Sequence, residues 1–298
     1  MKSSFLTMAP LMIQFLLSKV LTISLAALMV FGLASCGGGG SSSGEDITVI
    51  SREEGSGTRD AFTELTGVLQ DDVDRTVDTA EISNSTSVVT QSVAGNPAAI
   101  GYISLGSLDD TVKAVKVDGV EATVDNVKSG DYKLQRPFNI VTNGEVSELA
   151  QDFINYIMSS DGQAIIEEEG YIMTDENAPA YEASGLTGTI TLAGSTSVSP
   201  VMEVLADEYK ALNSGVTIEI QQTGSGAGIQ STIEGVCDIG MASRALEDEE
   251  AAEGLESQTI ALDGIAVIVN NDNAVEDLTT EQIMNIFIGE ITNWSEVE

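Results

Sequence analysis

The chain repeats one local pattern, in which a short apolar run leads through a glycine- and hydroxyl-rich turn into a stretch with helical periodicity. Two such turns lie at residues 52–60, after the run 47–50, and at residues 194–200, after the run 190–192. A strand that enters a helix in this way leaves free backbone N–H groups at the positive end of the helix dipole. The pattern therefore predicts an α/β fold with two turns suited to an anion.

The same alternation of apolar runs and helical periodicity continues from about residue 46 to the end of the chain. Strands are predicted at 47–50, 99–103, 112–117, 138–141, 189–193, 216–220, 238–242 and 265–269. Helices are predicted at 58–65, 86–93, 146–159, 162–168, 200–212, 229–234 and 281–287.

Capping boxes are predicted at Thr279 with Gln282 and at Ser160 with Gln163. Residues 181–188 are polar and contain glycine, which indicates a linker.

The composition restricts the chemistry of any site. The formal net charge is −35, which disfavours nucleic acid and anionic membrane surfaces as partners, although acidity also serves solubility alone. Histidine is absent, so the usual general base and the commonest metal ligand are missing. We therefore expect no metal and no cofactor.

The first part of the chain has the pattern of a targeting segment. Lys19 precedes an apolar run at 20–33, and the tetrapeptide ending at Cys36 is similar to the bacterial lipobox. We expect a signal peptide at 1–35, then a lipidated Cys36 and a flexible Gly/Ser tether at 36–45. This would hold the protein on the extracytoplasmic face of the cell membrane. An ordinary signal peptide or a membrane helix with a chance cysteine is the alternative.

The only other thiol, Cys237, lies in an apolar stretch. We expect it to be a small buried residue, because free cysteine is among the most buried residue types. Lipidation of Cys36 would leave Cys237 without an intrachain disulfide partner.

The candidate anion ligands are residues with N–H, hydroxyl or guanidinium donors near the helix starts. The first turn offers Arg52, Ser56, Gly57 and Thr58, and the second offers Thr196 and Ser197. A third turn at 222–229 contains Ser225, and Ser243 and Arg244 follow the predicted strand 238–242. Arg244 is either a second positive charge for the site or a solvated loop residue. Taken one at a time, the first turn is also consistent with a helix cap beside solvated charges, and the second with a simple helix N-cap.

Several of these segments together resemble a known family. Residues 191–246, with Gly-Ser-Thr-Ser-Val-Ser-Pro and Gly-Ser-Gly-Ala-Gly-Ile, look like the first half of the phosphate-binding proteins that serve bacterial ABC transporters. Residues 278–297 resemble the next part of that family. Residues 47–62, 99–103 and 160–172 resemble its later segments.

The order of these segments is reversed, because the later half of the family pattern precedes the earlier half. The chain therefore looks like a circular permutant whose family ends are joined through 181–188. Chain ends often lie close together, so such a permutation is physically tolerable. A truncated or misassembled tandem of two copies is the alternative.

The resemblance implies an α/β fold of the periplasmic-binding-protein type, with two lobes, two crossover strands and the ligand in the cleft between them. Lobe I is implied at 137–262 and includes the linker 181–188, lobe II is implied at 46–136 and 263–298, and the crossovers are implied near 136–138 and 262–264.

The resemblance also implies a ligand set. The phosphate contacts of the family match Arg52, Ser56, Gly57, Thr58, Thr196, Ser197 and Ser225, with Ser243 as a further candidate. Glu53 and Glu54 both lie beside Arg52 and can hold its guanidinium by ion pairing, and the resemblance matches Glu54 to the acidic residue that pairs with the binding arginine. Arg244 stands where some members have an aspartate that accepts the proton of phosphate. Its presence puts selection of phosphate over sulfate in doubt, since the Ser243 hydroxyl can donate as well as accept.

The function implied is a lipid-anchored, monomeric protein that captures inorganic phosphate and delivers it to an ABC transporter permease. A binding protein or sensor for sulfate or another oxyanion is the alternative. A phosphatase with Ser56 or Thr196 as nucleophile is disfavoured, because no histidine and no dense carboxylate cluster would activate the hydroxyl.

Overall fold

The computed structural model describes residues 45–297. The predicted signal peptide, the predicted lipidation site Cys36 and the predicted tether up to residue 44 lie outside the described residues. Across residues 45–297, each helix is too short or too polar to cross a membrane.

Helices and short strands alternate through the described chain. The strands are β1 Thr48–Arg52, β2 Leu69–Gln70, β3 Val73–Asp74, β4 Glu81–Ser83, β5 Ala99–Ser104, β6 Val112–Ala114, β7 Lys116–Val117, β8 Gln135–Asn143, β9 Ile172–Met173, β10 Gly188–Gly194, β11 Val216–Gln222, β12 Ile239–Ala242, β13 Leu255–Asn270 and β14 Asp277–Leu278. The α-helices are α1 Gly57–Thr66, α2 Thr86–Ala94, α3 Val124–Ser129, α4 Glu148–Ile157, α5 Ser160–Glu168, α6 Ser199–Leu212, α7 Ser225–Ile233, α8 Asp248–Ala252 and α9 Thr280–Phe287. Each strand and helix predicted from the sequence overlaps one of these elements, so the α/β prediction is confirmed.

The main sheet has the strand order β11-β10-β12-β8-β13-β5-β1-β4. At one end, β10 lies parallel to β11 and β12; at the other, β1 lies parallel to β4 and β5. Parallel neighbours need helical crossovers, and α6 and α2 belong to such connections. The two central strands, β8 and β13, are antiparallel.

Strand β13 joins the two ends of this sheet. Its residues 255–264 pair with β8, whereas residues 265–269 pair with β5. At the change of partner, Asp263 lies opposite Arg136, and their buried salt bridge measures 3.0 Å from Oδ2 to Nη2. Burial raises the pKa of the Asp263 carboxyl, and the charge of Arg136 acts in the opposite direction. This pair lies where the sequence predicts the two crossover strands.

The buried apolar residues form four clusters, which divide between two parts of the chain. One group lies between residues 138 and 261 and includes Phe153, Met202 and Tyr209. The other is drawn from 49–134 and 265–294, together with Ile172, and contains a Phe62–Tyr102 stack with ring centroids 3.9 Å apart. The two-lobed arrangement agrees with the fold prediction. The lobe boundaries stay a prediction, and we keep the names lobe I and lobe II for the ranges given above.

The helix starts were predicted with mixed success. The capping box at Thr279 and Gln282 is confirmed. The one at Ser160 is wrong, because Ser159 caps α5 and accepts a hydrogen bond from the Gly162 N–H at 3.2 Å. The Gln163 amide instead donates to the carbonyl oxygens of Ile157 and Ile260, which ties α5 to β13.

Candidate anion-binding site

Four helices begin at one place between the lobes. Thr58 and Thr86 lie in the first turns of α1 and α2 in lobe II, and Ser197 lies just before α6 in lobe I. The Ser197 hydroxyl is 2.9 Å from the Thr58 hydroxyl and 3.1 Å from the Thr86 hydroxyl. The positive ends of these helix dipoles therefore meet in a region of buried hydroxyl groups.

The fourth helix, α7, approaches the same region through glycine. A Cβ atom on Gly57 would lie 2.5 Å from the Ser225 Oγ and 2.8 Å from the Ser243 Oγ. Such distances are not tolerated, so only glycine permits this close contact between α1 and α7. Nearby, the Gly226 N–H donates to the Gly55 carbonyl at 3.0 Å.

Arg52 lies at the end of β1 and is 2% exposed. Its Nε and Nη2 donate to the two carboxylate oxygens of Glu53 at 2.8 and 2.7 Å. Across the lobe interface, Nη2 also donates to the Thr196 hydroxyl at 3.0 Å. Within lobe II, Nη1 donates to the Thr86 hydroxyl at 3.4 Å. Glu53 thus fixes one edge of the guanidinium, while the other edge faces hydroxyl groups. We call Thr58, Thr86, Thr196 and Ser197 the hydroxyl cluster.

The expected pairing of Glu54 with Arg52 is wrong. Glu54 is exposed, whereas the Glu53 side chain is 24% exposed and forms the bidentate pair. The reason is the tight turn that follows β1, in which the Ser56 N–H donates to the Glu53 carbonyl and Gly55 has a φ of 78°. This turn leaves Glu54 at its outer corner and keeps Glu53 beside the guanidinium.

Ser56 has a structural role in the described contacts. Its side chain caps α1 by accepting a hydrogen bond from the Arg59 N–H at 3.5 Å, and it is buried. Ser56 therefore lies at the helix start as predicted, but no hydrogen bond described for it reaches the hydroxyl cluster.

Three buried serines form a second group of hydroxyls in lobe I. The Ser243 Oγ lies 2.9 Å from the Ser195 Oγ and 3.3 Å from the Ser225 Oγ. The Ser243 N–H donates to the Ser225 Oγ at 3.1 Å. A hydroxyl both donates and accepts, so these residues, which we call the serine group, can adapt to a protonated or an ionised ligand oxygen.

One interpretation of the sequence makes Arg244 a second positive charge for the site. In the structure, its charge is instead paired with carboxylates. Its guanidinium forms a bidentate pair with Glu250 at 2.7 and 2.8 Å, and it contacts Asp60 at 2.9 Å and Glu247 at 3.3 Å. Burial disfavours the charge, yet hydrogen bonds and charge from these carboxylates raise the pKa of Arg244. Its charge is therefore balanced by acidic neighbours.

Sequence reasoning missed two residues of the site, Thr86 and Ser195. Thr86 had a signal, because it follows the short strand β4 and begins α2 after Ser85, the same arrangement as in the turns that were recognised. Ser195 was visible in its turn, but its contact with Ser243 depends on the pairing of β10 with β12.

The space between the lobes continues beyond the hydroxyl cluster. Thr86 and Thr196 also line a cavity of about 500 Å³, together with Ser107, Pro200 and Gln222. Its walls come from both lobes. Among the residues the structure describes, no group of three or more Cys, Asp or Glu side chains is placed to hold a metal ion.

Comparisons with known proteins identify the family of the chain. A family model described as PBP superfamily domain matches residues 36–161 and 179–298. A protein of Streptococcus agalactiae named Phosphate-binding protein PstS 2 is 50% identical over 283 residues, covering 92% of this chain and 96% of the relative. The Bacillus subtilis protein named Phosphate-binding protein PstS is 33% identical over 148 residues, covering 47% of this chain and 46% of the relative.

A solved structure is also similar to most of this chain. The crystal structure of a phosphate ABC transporter, phosphate-binding protein from Streptococcus pneumoniae has 48% sequence identity and a TM-score of 0.70. The match covers 85% of this chain and 100% of that chain.

Proposed function

The chain belongs to the PBP superfamily, and from this premise we propose that it captures inorganic phosphate between its lobes and delivers it to an ABC transporter. One observation carries the proposal: the free edge of the buried Arg52 guanidinium faces hydroxyl groups at helix starts from both lobes. The names of the streptococcal relative and of the similar crystal structure support the same ligand and the same transport role.

The proposed binding mode follows from donor geometry. A tetrahedral oxyanion takes charge-assisted hydrogen bonds from the free Arg52 edge and hydrogen bonds from the hydroxyl cluster and Ser225, while N–H groups at Gly57 and the other helix starts add positive potential. Burying an anion costs a large hydration energy, which these donors offset. Because the donors come from both lobes, full coordination requires the lobes to close around the anion.

The proposal includes selectivity for phosphate over sulfate. Phosphate carries a proton near neutral pH, so a buried acceptor favours it over fully ionised sulfate. Arg244 stands in place of an acceptor carboxylate, and the serine group supplies hydroxyls that also donate. We therefore expect phosphate to bind more tightly than sulfate, with weaker discrimination than a carboxylate would give.

Calorimetric titration of ligand-stripped protein tests this function. We expect binding of one phosphate per chain in the micromolar range or tighter, and displacement only by a large excess of sulfate. Failure of the folded protein to bind phosphate would overturn the function. Displacement by sulfate at equal concentration would reassign the ligand to oxyanions in general.

Binding without turnover is the second part of the proposal. The relatives are named as binding proteins, and the hydroxyls of the site bond to one another, to Arg52 or to backbone rather than to an imidazole base. A chromogenic phosphomonoester should show no hydrolysis above that of a Ser56→Ala control. Turnover lost in that variant would establish an enzyme.

A lipid anchor at Cys36 and a monomeric state complete the proposed cellular role. The lipobox-like sequence before Cys36 and the Gly/Ser stretch after it support attachment on the extracytoplasmic face. Cys36→Ser should move the protein from the membrane fraction to the soluble fraction, with unchanged phosphate affinity. Retention of this variant on membranes would contradict lipidation at Cys36.

We also propose that the segment order is a genuine circular permutation. The S. agalactiae match runs along almost all of both chains, which supports a shared order, whereas the B. subtilis match covers less than half of each. In lobe II, the Ile47 N–H donates to the Thr292 carbonyl, so the ends of the described chain are adjacent. Placing residues 188–298 before 46–182 should extend the B. subtilis match to most of both chains. No extension would contradict the permutation.

A further inference from the structure

The contact between Asp60 and Arg244 is separate from the hydroxyl cluster and crosses between the lobes. Asp60 lies in the first turn of α1, in lobe II, and Arg244 follows β12, in lobe I. The Arg244 Nε donates to the Asp60 Oδ2 at 2.9 Å, and the two side chains are 10% and 34% exposed. It is therefore a partly desolvated ion pair across the cleft.

The other carboxylates around Arg244 belong to its own lobe. Glu250 in α8 holds the Nη1 and Nη2 groups, and Glu247, just before α8, lies 3.3 Å from Nη2. These contacts do not depend on the position of lobe II. The guanidinium is thus held in one orientation with its Nε directed toward Asp60, whether or not the lobes are close together.

In the structure, the Asp60 contact joins the two lobes. Moving α1 away from lobe I separates Asp60 from Arg244, and it also separates Gly57 from Ser225 and Ser243. The ion pair is therefore made or broken together with the contacts at the anion site. A favourable contact that exists only in the closed state shifts the population toward that state and slows release of whatever the lobes enclose.

We propose that Arg244 is a positioning residue that stabilises the closed state through Asp60. The inference rests on the proposed phosphate function for its kinetic readout, but the closed state itself can be measured without phosphate. Arg244 then affects ligand affinity through the lobe equilibrium and makes no contact with the anion.

The Asp60→Asn variant tests the proposal, because asparagine keeps the size of the side chain and removes its charge. We expect the phosphate dissociation rate, measured by stopped-flow fluorescence, to rise about tenfold, as for other partly buried charge pairs. The association rate should change less than about twofold, since the side-chain hydrogen bond described for Asp60 goes to Arg244 and not to the hydroxyl cluster.

Glu247→Gln is the matched control, because it removes one carboxylate from the same guanidinium without crossing the cleft. It should leave the dissociation rate within about twofold of the parent, as expected for an exposed ion pair. Equal effects of the two variants would show that total charge matters rather than the interlobe contact, and would overturn the proposal. An unchanged rate in Asp60→Asn, with an unchanged melting temperature, would overturn it as well.

A ligand-independent measurement separates this inference from the phosphate function. Spin labels on exposed residues of the two lobes, Ser87 and Glu203, report the interlobe distance distribution by electron paramagnetic resonance. Asp60→Asn should increase the open population, and Glu247→Gln should not. If the parent fails to bind phosphate but these populations differ as stated, the function is wrong and the role of Arg244 stands. Identical distributions would reject that role.

Discussion

Two arginines border the interface between the lobes, and they make similar contacts with opposite consequences. Arg52 and Arg244 each form a bidentate pair with a carboxylate of the same lobe, Glu53 and Glu250. Each also reaches the other lobe. Arg52 reaches the neutral hydroxyl of Thr196, whereas Arg244 reaches the carboxylate of Asp60.

The cross-lobe partner decides what each arginine can do. A hydroxyl does not neutralise charge, so the free edge of Arg52 keeps its attraction for an anion. A second and third carboxylate around Arg244 more than balance its single charge. A buried arginine beside a binding cleft is therefore not a ligand-binding residue by position alone, and its full set of partners has to be counted.

The largest effect is expected from replacing the two arginines in turn. Arg52→Ala should weaken phosphate binding by about a hundredfold or more, because hydrogen bonds to charged groups contribute about 1.5–3 kcal/mol each. Arg244→Ala should weaken it by only about tenfold, through the lobe equilibrium. Titration calorimetry on both variants measures the difference. Similar losses would remove the distinction between the two arginines.

A smaller loss is expected from Gly57→Ala, since the added methyl group meets Ser225 and Ser243 and holds the lobes apart. We expect phosphate affinity to fall by about tenfold to thirtyfold, as for other overpacked contacts. Gly226→Ala is the matched control in α7, because its Cβ would lie 3.5 Å from the Gly55 Cα. If both variants bind like the parent, the closed contact between α1 and α7 is not required for binding.

The hydroxyl groups on the Arg52 side can be tested with Thr86→Val, which preserves shape and removes one hydroxyl. Thr86 contacts Arg52, Thr196 and Ser197, and we expect about tenfold weaker phosphate binding from the loss of a buried hydrogen-bonding group. Thr90→Val is the control, since the Thr90 hydroxyl donates to the Thr86 carbonyl within α2. Equal affinities of the two variants would place Thr86 outside the site.

The smallest effect distinguishes the two neighbouring glutamates. Glu53→Gln should weaken phosphate binding by about threefold to tenfold, because the Arg52 guanidinium loses the carboxylate that orients it. Glu54→Gln should change affinity by less than about twofold, as is usual for an exposed side chain. The opposite ranking in a calorimetric comparison would restore the original assignment of Glu54.

The sequence predicted well what depends on local patterns. Strands such as β5 and helices such as α6 have apolar periodicity that adjacent residues already specify. The first half of β13 was missed because Glu256, Ser257 and Gln258 are polar, and they become a strand only by pairing with β8. Likewise α7 begins at Ser225, four residues before its prediction, in a glycine-rich segment with low helix propensity.

The site residues also divide into those that the local sequence predicts and those whose contacts depend on the folded structure. Arg52 and the Gly/Ser turns could be found because the sequence itself contains the strand, turn and helix start. The partner of Arg244 could not, since Asp60 is 184 residues away and the pair forms only when β12 and α1 meet. The choice between Glu53 and Glu54 depended on the conformation of a single turn.

The meeting of the chain ends in lobe II has a consequence for folding. The Trp294 N–H donates to the Glu45 carbonyl, and the Asn293 side chain donates to Asp46, 247 residues earlier. Strand β5 pairs with β13, which lies about 160 residues later in the chain, so the first part of lobe II is synthesised long before this partner. The buried core between residues 138 and 261 instead comes from one continuous segment. Contacts with such separation form slowly.

During refolding, amides of β10 and β11 should therefore gain protection from hydrogen exchange before the amides that join β5 to β13, and the reverse order would contradict this sequence of events. The junction of β5 with β13 is consequently completed late, and the unpaired edge of β5 is where a chaperone has time to bind lobe II.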